Sequence, residues 1–307
     1  MKTASGIVLA TALMVTSAAQ ARGLVMSAEE LSPQLRLRFA EQIARAREAD
    51  AKSFERLTGF VSHVDRLHEQ RRGRFAPYGK TLRSMDGLLW PAVEMLAFEA
   101  PVNLPQHPLA LEAFTAALVE TLGHTRNPDL AALYTAMLDG DETRFLVLQA
   151  AVSGLGQLET EEAAAKLVAL SKSQGARRDA ALAAMGNCRR LPVAQALVEA
   201  LEARPIDVIE ARRIVASLGD VGSVAAWKTP AVKHRAEEGA IRNLAADALV
   251  RAFVDYDGEV RAKISNAILL VDAQGTPAMI AAAKKAHPEQ AEALDGLAAR
   301  FARNPIR

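Results

Sequence analysis

The chain has 307 residues, 50% hydrophobic and 24% charged, with one cysteine and a formal net charge of +1. This is globular composition and excludes wholesale disorder, while a lone cysteine excludes a disulfide framework or a multi-cysteine metal or cluster site. Near-neutral charge argues against a dedicated nucleic-acid binder, for which a strongly basic balance is expected, and the length suits two domains or one elongated array.

The first 21 residues read as a secretory signal peptide. Met1-Lys2 supplies the charged start, Gly6 to Val15 a short apolar core, and Ala19-Gln20-Ala21 a small-residue end, so cleavage is expected before Arg22. The apolar run is too short for a permanent span, and no later run of 18 apolar residues exists, so no transmembrane segment is expected in the mature chain. A periplasmic or secreted location follows. Without Lys2 the chain is formally neutral, but unevenly so: residues 22–83 hold 13 Lys/Arg against 8 Asp/Glu, or +5, and the remainder carries −5.

Residues 31–72 form an amphipathic pattern that predicts one long helix or a helical hairpin. Ser32-Pro33 supplies a cap and a first-turn proline, and Phe54, Leu57, Val61 and Val64 share one face. Arg47 and Asp50 interrupt the same stripe upstream, which argues against a sustained coiled coil. A further helix is expected over residues 86–99, followed by a linker punctuated by Pro101, Pro105 and Pro108. The expected division is a signal peptide (1–21), an N-terminal helical segment with its linker (22–108) and a repeat region (109–307).

In that region Leu122-Gly123, Leu155-Gly156, Met185-Gly186 and Leu218-Gly219 recur at intervals of 33, 30 and 33 residues. Each pair ends an apolar helical run, and glycine there predicts a left-handed helix C-terminus. Second helices follow at 131–138, 163–170 and 193–201. Residues 241–250 and 260–269 keep the apolar spacing without the glycine, and a final pair is expected over 276–286 and 288–302. The run Ala176-Arg177-Arg178-Asp179-Ala180-Ala181-Leu182-Ala183-Ala184-Met185-Gly186 resembles HEAT-like repeats, closest to the short bilin-lyase type found in many bacterial exported proteins. The arginine of that pattern is matched by Arg177, Arg242 and Arg261, but Phe114, Val147 and Glu210 stand there in other units. The resemblance, over roughly residues 109–286, implies an all-α superhelical solenoid of five to six helix pairs.

Chemical motifs fail on inspection. Gly73 to Thr81 has the wrong glycine spacing for a phosphate-binding loop and no preceding strand. His68-Glu69-Gln70-Arg71-Arg72 puts arginine where a zinc helix needs its second histidine. Aligning Gly258 with a calcium-loop glycine leaves Phe253 and Ile264 at ligand positions. Cys188 reads as a partly buried structural thiol. No catalytic, cofactor or metal residue is assigned. What remains is a non-enzymatic scaffold that binds a protein partner. Its candidate contacts are Glu199, Glu202, Trp227, Lys228 and Lys233 on second helices, with Arg71, Arg72 and Arg74 as a basic second site for an acidic partner or an anionic envelope surface. Trp227 also suits core packing. The alternatives are a bilin-lyase-like enzyme or subunit, which the export signal disfavours, and a structural envelope component stacking through its ends.

Overall fold

The computed structural model describes residues 22–70, 78–204 and 207–305, so the expected signal peptide and Arg71, Arg72 and Arg74 lie outside the described residues. The class is all-α: among the described residues an isolated bridge between Arg22 and Ser27 is the sole extended pairing.

The 31–72 pattern is cut into α1 (Pro33–Ala49), α2 (Ala51–Val61) and α3 (Val64–Glu69). Ser32 caps α1 by accepting the Leu35 amide at 3.3 Å. Asp50 makes the first break: it leaves helical geometry at φ −148° and its carboxylate accepts the Ser53 amide at 3.2 Å, so one residue ends one helix and caps the next. The predicted stripe survives the breaks, with Phe54, Leu57, Val61 and Val64 all buried. A short helix the sequence did not announce, α4 (Tyr78–Arg83), precedes α5 (Leu89–Ala97), which is the core of the helix expected over 86–99. Residues 22–27 dock on the end of α5. The Leu24 and Val25 amides donate to the Met95 and Leu96 carbonyls at 2.9 and 3.1 Å, and a Cβ on Gly23 would lie 2.3 Å from the Leu96 and Ala97 backbone.

Pro108 is not a linker residue but opens α6 (Pro108–His124). The chain continues through α7 (Ala131–Asp139), α8 (Phe145–Gln157), α9 (Glu161–Ser171), α10 (Ala176–Ala184), α11 (Leu191–Glu202), α12 (Val208–Gly222) and the single turn α13 (Val224–Trp227). It ends in α14 (Glu238–Asp255), α15 (Gly258–Val271), α16 (Thr276–Ala286) and α17 (Ala291–Ala302). Each member of the row α4, α6, α8, α10, α12, α15 packs on the next, while α9, α11, α14 and α16 form a second row. The buried apolar residues make one cluster from Val25 to Phe301, so α3, α4 and α5 share the core of α6.

Two expectations about the repeats are refined. First, residues 241–250 and 260–269, read as two further degenerate units, are single helices in different rows. Helix α14 lies in the second row beside α11 and pairs with α12, and α15 returns to the first row. The one-turn α13 and the segment 228–237 are inserted before it, because four residues cannot complete a packing helix. Second, the repeat glycines are not left-handed caps: positive φ among glycines occurs at Gly87, Gly175 and Gly258. The repeat glycines instead allow close approach. A Cβ on Gly186 would meet the Ser217 carbonyl oxygen at 2.1 Å, and one on Gly156 would meet the Cys188 amide nitrogen at 3.1 Å.

The three arginines of the repeat pattern share a structural task. Arg242 donates from Nε and Nη2 to the carbonyls of Val271 and Asp272 at 3.1 and 2.6 Å, at the end of α15. Arg177 does the same for Leu138 and Gly140 beyond α7, and Arg261 for Tyr256 beyond α14. Each satisfies helix C-terminal carbonyls left without an intrahelical partner.

Candidate functional site

Along the first row runs an open groove of about 510 Å³, lined from α4, α6, α8, α10 and α12 and the turn after α10. Helix α6 contributes Ala113, Ala116, Ala117 and Glu120, and α8 contributes Leu146, Gln149, Ala150 and Ser153. Both sets have the spacing that puts four residues on one helical face. Ala183, Ala184 and Asn187 continue the floor, and Asp220 stands at the far end. Alanine keeps the floor low; longer residues here would fill the groove with their own side chains.

The two ends of the groove differ in charge. At the α4 end stand Lys80, which makes no ion pair among the described residues, and Arg83, 3.9 Å from Glu120. His124 lies 3.7 Å from the same carboxylate, and its hydrogen bond, with the nearby cations, holds Glu120 below the usual carboxylate range against burial. At the α12 end Asp220 is exposed, yet its carboxyl has no hydrogen bond or ion pair among the described residues. Desolvation by the surrounding protein raises its pKa, although Lys263 and Arg189 pull the other way. A carboxyl raised in the folded state contributes stability while protonated, below its ordinary 3.8, and loses that contribution as pH rises through the raised value. Asp220→Asn should therefore be more stable than wild type at pH 7, by under about 1 kcal/mol because solvent reaches the group, with the difference shrinking as pH falls. Urea unfolding at a series of pH values measures this.

The residues expected to contact a partner are not assembled here. Trp227 is corrected to the core: it is fully buried, and its indole N–H donates to the Val221 carbonyl at 2.9 Å. Glu199 and Glu202 lie on α11 in the second row and are already paired, with Lys172 at 3.2 Å and Arg251 at 2.7 Å. Lys228 is exposed at the end of α13. Lys233 is exposed but tied down, its amide donating to the Glu159 carboxylate at 3.1 Å and its ammonium to the Leu158 carbonyl at 3.4 Å. Of the cations that flank Arg71, Arg72 and Arg74 in sequence, Arg66 is exposed and Lys80 and Arg83 line the groove.

Lys233 belongs to a strap, residues 228–237, laid across the turns that join first to second helices. Arg126 donates to the Ala231 carbonyl at 2.7 Å, His234 Nε2 to the Glu159 carbonyl at 2.9 Å, and the Glu237 carboxylate accepts the Leu191 amide at 2.6 Å and Arg190 Nε at 3.1 Å. Three successive helix pairs, α6–α7, α8–α9 and α10–α11, are thereby tied to one segment. Beneath it Glu159 is fully buried, in left-handed backbone at φ 55°, with Arg189 3.4 Å away. Cys188 lies buried beside this pair, where desolvation, reinforced by the Glu159 charge, pushes its thiol up to about 12. At such a value the thiolate is absent at neutral pH, so nucleophilic chemistry has no support there.

Sequence reasoning missed the groove because it sought polar residues on second helices. The usable signal was the run of small residues at one-face spacing in α6 and α8, which periodicity alone does not distinguish from a buried seam. No protein-family model matches the chain, and no curated protein matches it in sequence.

Proposed function

We propose that the protein is an exported, non-enzymatic HEAT-like solenoid that binds a protein partner through the groove on its first-helix row. The observation that carries this is the groove itself, a continuous surface with a low alanine floor, unpaired Gln149 and Asp220, and opposite charges at its ends. The superhelical reading is supported by the two rows of successive neighbours. Location outside the cytoplasm, in the periplasm or secreted, rests on the charged, apolar and Ala-Gln-Ala order of residues 1–21. Processing before Arg22 is compatible with the fold, because Leu24 and Val25 immediately beyond it are hydrogen-bonded to α5.

A photo-reactive amino acid placed at Gln149 tests the face, with a second placed at Glu199. Cross-linking in the cells that export the protein should join one stoichiometric protein to position 149 and not to 199, and Ala183→Trp, which fills the groove, should abolish the product. Ala183 is partly exposed, so the larger ring projects into the groove and folding is checked by thermal unfolding. Equal cross-linking at 199 would return the site to the second helices.

A further inference from the structure

We propose that the groove takes an extended polypeptide segment of its partner, with a carboxylate at the Lys80 and Arg83 end and a lysine or arginine side chain reaching Asp220. This rests on the groove reading above and adds the chemistry and polarity of the occupant. The charged ends carry it, not the alanine floor. Lys80 and Asp220 both line the groove without an ion-pair partner among the described residues, so each end offers a charge that an occupant can pair.

An occupant that supplies a cation at Asp220 gives this carboxylate the charged hydrogen-bond partner it lacks among the described residues. Nucleic acid is a poor fit, since its uniform negative charge would meet Glu120 and Asp220 inside the groove. A flat lipid surface does not enter a concavity between helices. A peptide can carry both signs, and Gln149 offers it a side-chain amide with one acceptor and two donors, the complement of a peptide bond.

The geometry sets the spacing. Four helix-to-helix intervals separate α4, which carries Lys80 and Arg83, from α12, which carries Asp220, roughly 32–40 Å at the usual 8–10 Å apart. An extended chain advances about 3.3 Å per residue, so the acidic and basic side chains fall about ten to twelve residues apart.

A display library of random sixteen-residue peptides, panned on the mature protein, reads this out. The expected result is enrichment of peptides with an acidic and a basic residue about ten to twelve positions apart. Asp220→Lys should weaken the selected peptides at least about tenfold, which is about 1.4 kcal/mol. Exchanging the peptide's basic residue for glutamate should restore binding to that variant. Asp220→Asn serves as the milder variant, with thermal unfolding recorded for each. If the selected peptides bind wild type and Asp220→Lys alike but are lost on Ala183→Trp, the polarity proposal is overturned and the groove reading stands. No enrichment, or binding that survives Ala183→Trp, overturns both.

Discussion

Gly186→Ala is expected to cost on the order of 3 kcal/mol, at the upper end for adding one methyl group to a packed interface. The added carbon would lie 2.1 Å from the Ser217 carbonyl oxygen and under 3 Å from two further backbone atoms of that residue. No side-chain rotation relieves a clash with backbone, so the turn after α10 has to move away from α12. Gly296→Ala is the matched control. It sits inside α17 with nothing within 4 Å of the new carbon, and should stabilise by roughly 0.5–1 kcal/mol through helix propensity. Urea unfolding of both proteins decides the matter. If both variants shift alike, the glycines serve backbone conformation and not close approach. The groove makes the test relevant to function, since Ala183, Ala184 and Asn187 sit beside Gly186 on the same turn.

Glu159→Gln is expected to lose about 3 kcal/mol, or roughly 6–10 °C in the unfolding midpoint, because removing one member of a buried ion pair leaves Arg189 uncompensated. Arg189 Nε already lacks a hydrogen-bond partner, so little remains to hold that guanidinium. Amides of the strap, residues 228–237, should exchange with solvent faster in the variant, since the Glu159 side chain accepts the Lys233 amide. Adding Arg189→Met should recover much of the loss, as an apolar side chain of similar length suits the buried site better than an unpaired charge. Glu199→Ala is the contrast. Its pairing with Lys172 is solvent-exposed, and the change should stay under about 0.5 kcal/mol. A loss for Glu199 as large as that for Glu159 would show that burial does not set the size of these effects.

Both predictions turn on features that one-dimensional reading reached only in part. The helices of the repeats were legible, because a run such as 146–156 or 193–201 carries its own apolar spacing. The second helices 131–138, 163–170 and 193–201 fall within a few residues of α7, α9 and α11. The break at Asp50 was half visible: the residue stood out as an interruption of the stripe, but its capping of Ser53 was not foreseen. Trp227 illustrates the opposite limit. A tryptophan beside a lysine looks the same whether it anchors a partner or a core, and its neighbours across the fold decide which.

The sequence by itself determined the all-α class, the first-and-second-helix rhythm and the positions of the glycines, since each depends on residues within a turn or two of one another. Tertiary structure decided what those features do. It turned the glycines from caps into points of contact between helices, moved α14 into the second row after an inserted strap, and opened the groove on the first row. The physical reason is distance. Gly186 and Ser217 are 31 residues apart, Lys233 and Glu159 are 74, and Lys80 and Asp220 are further still, and no local pattern encodes which distant residue arrives at a given face.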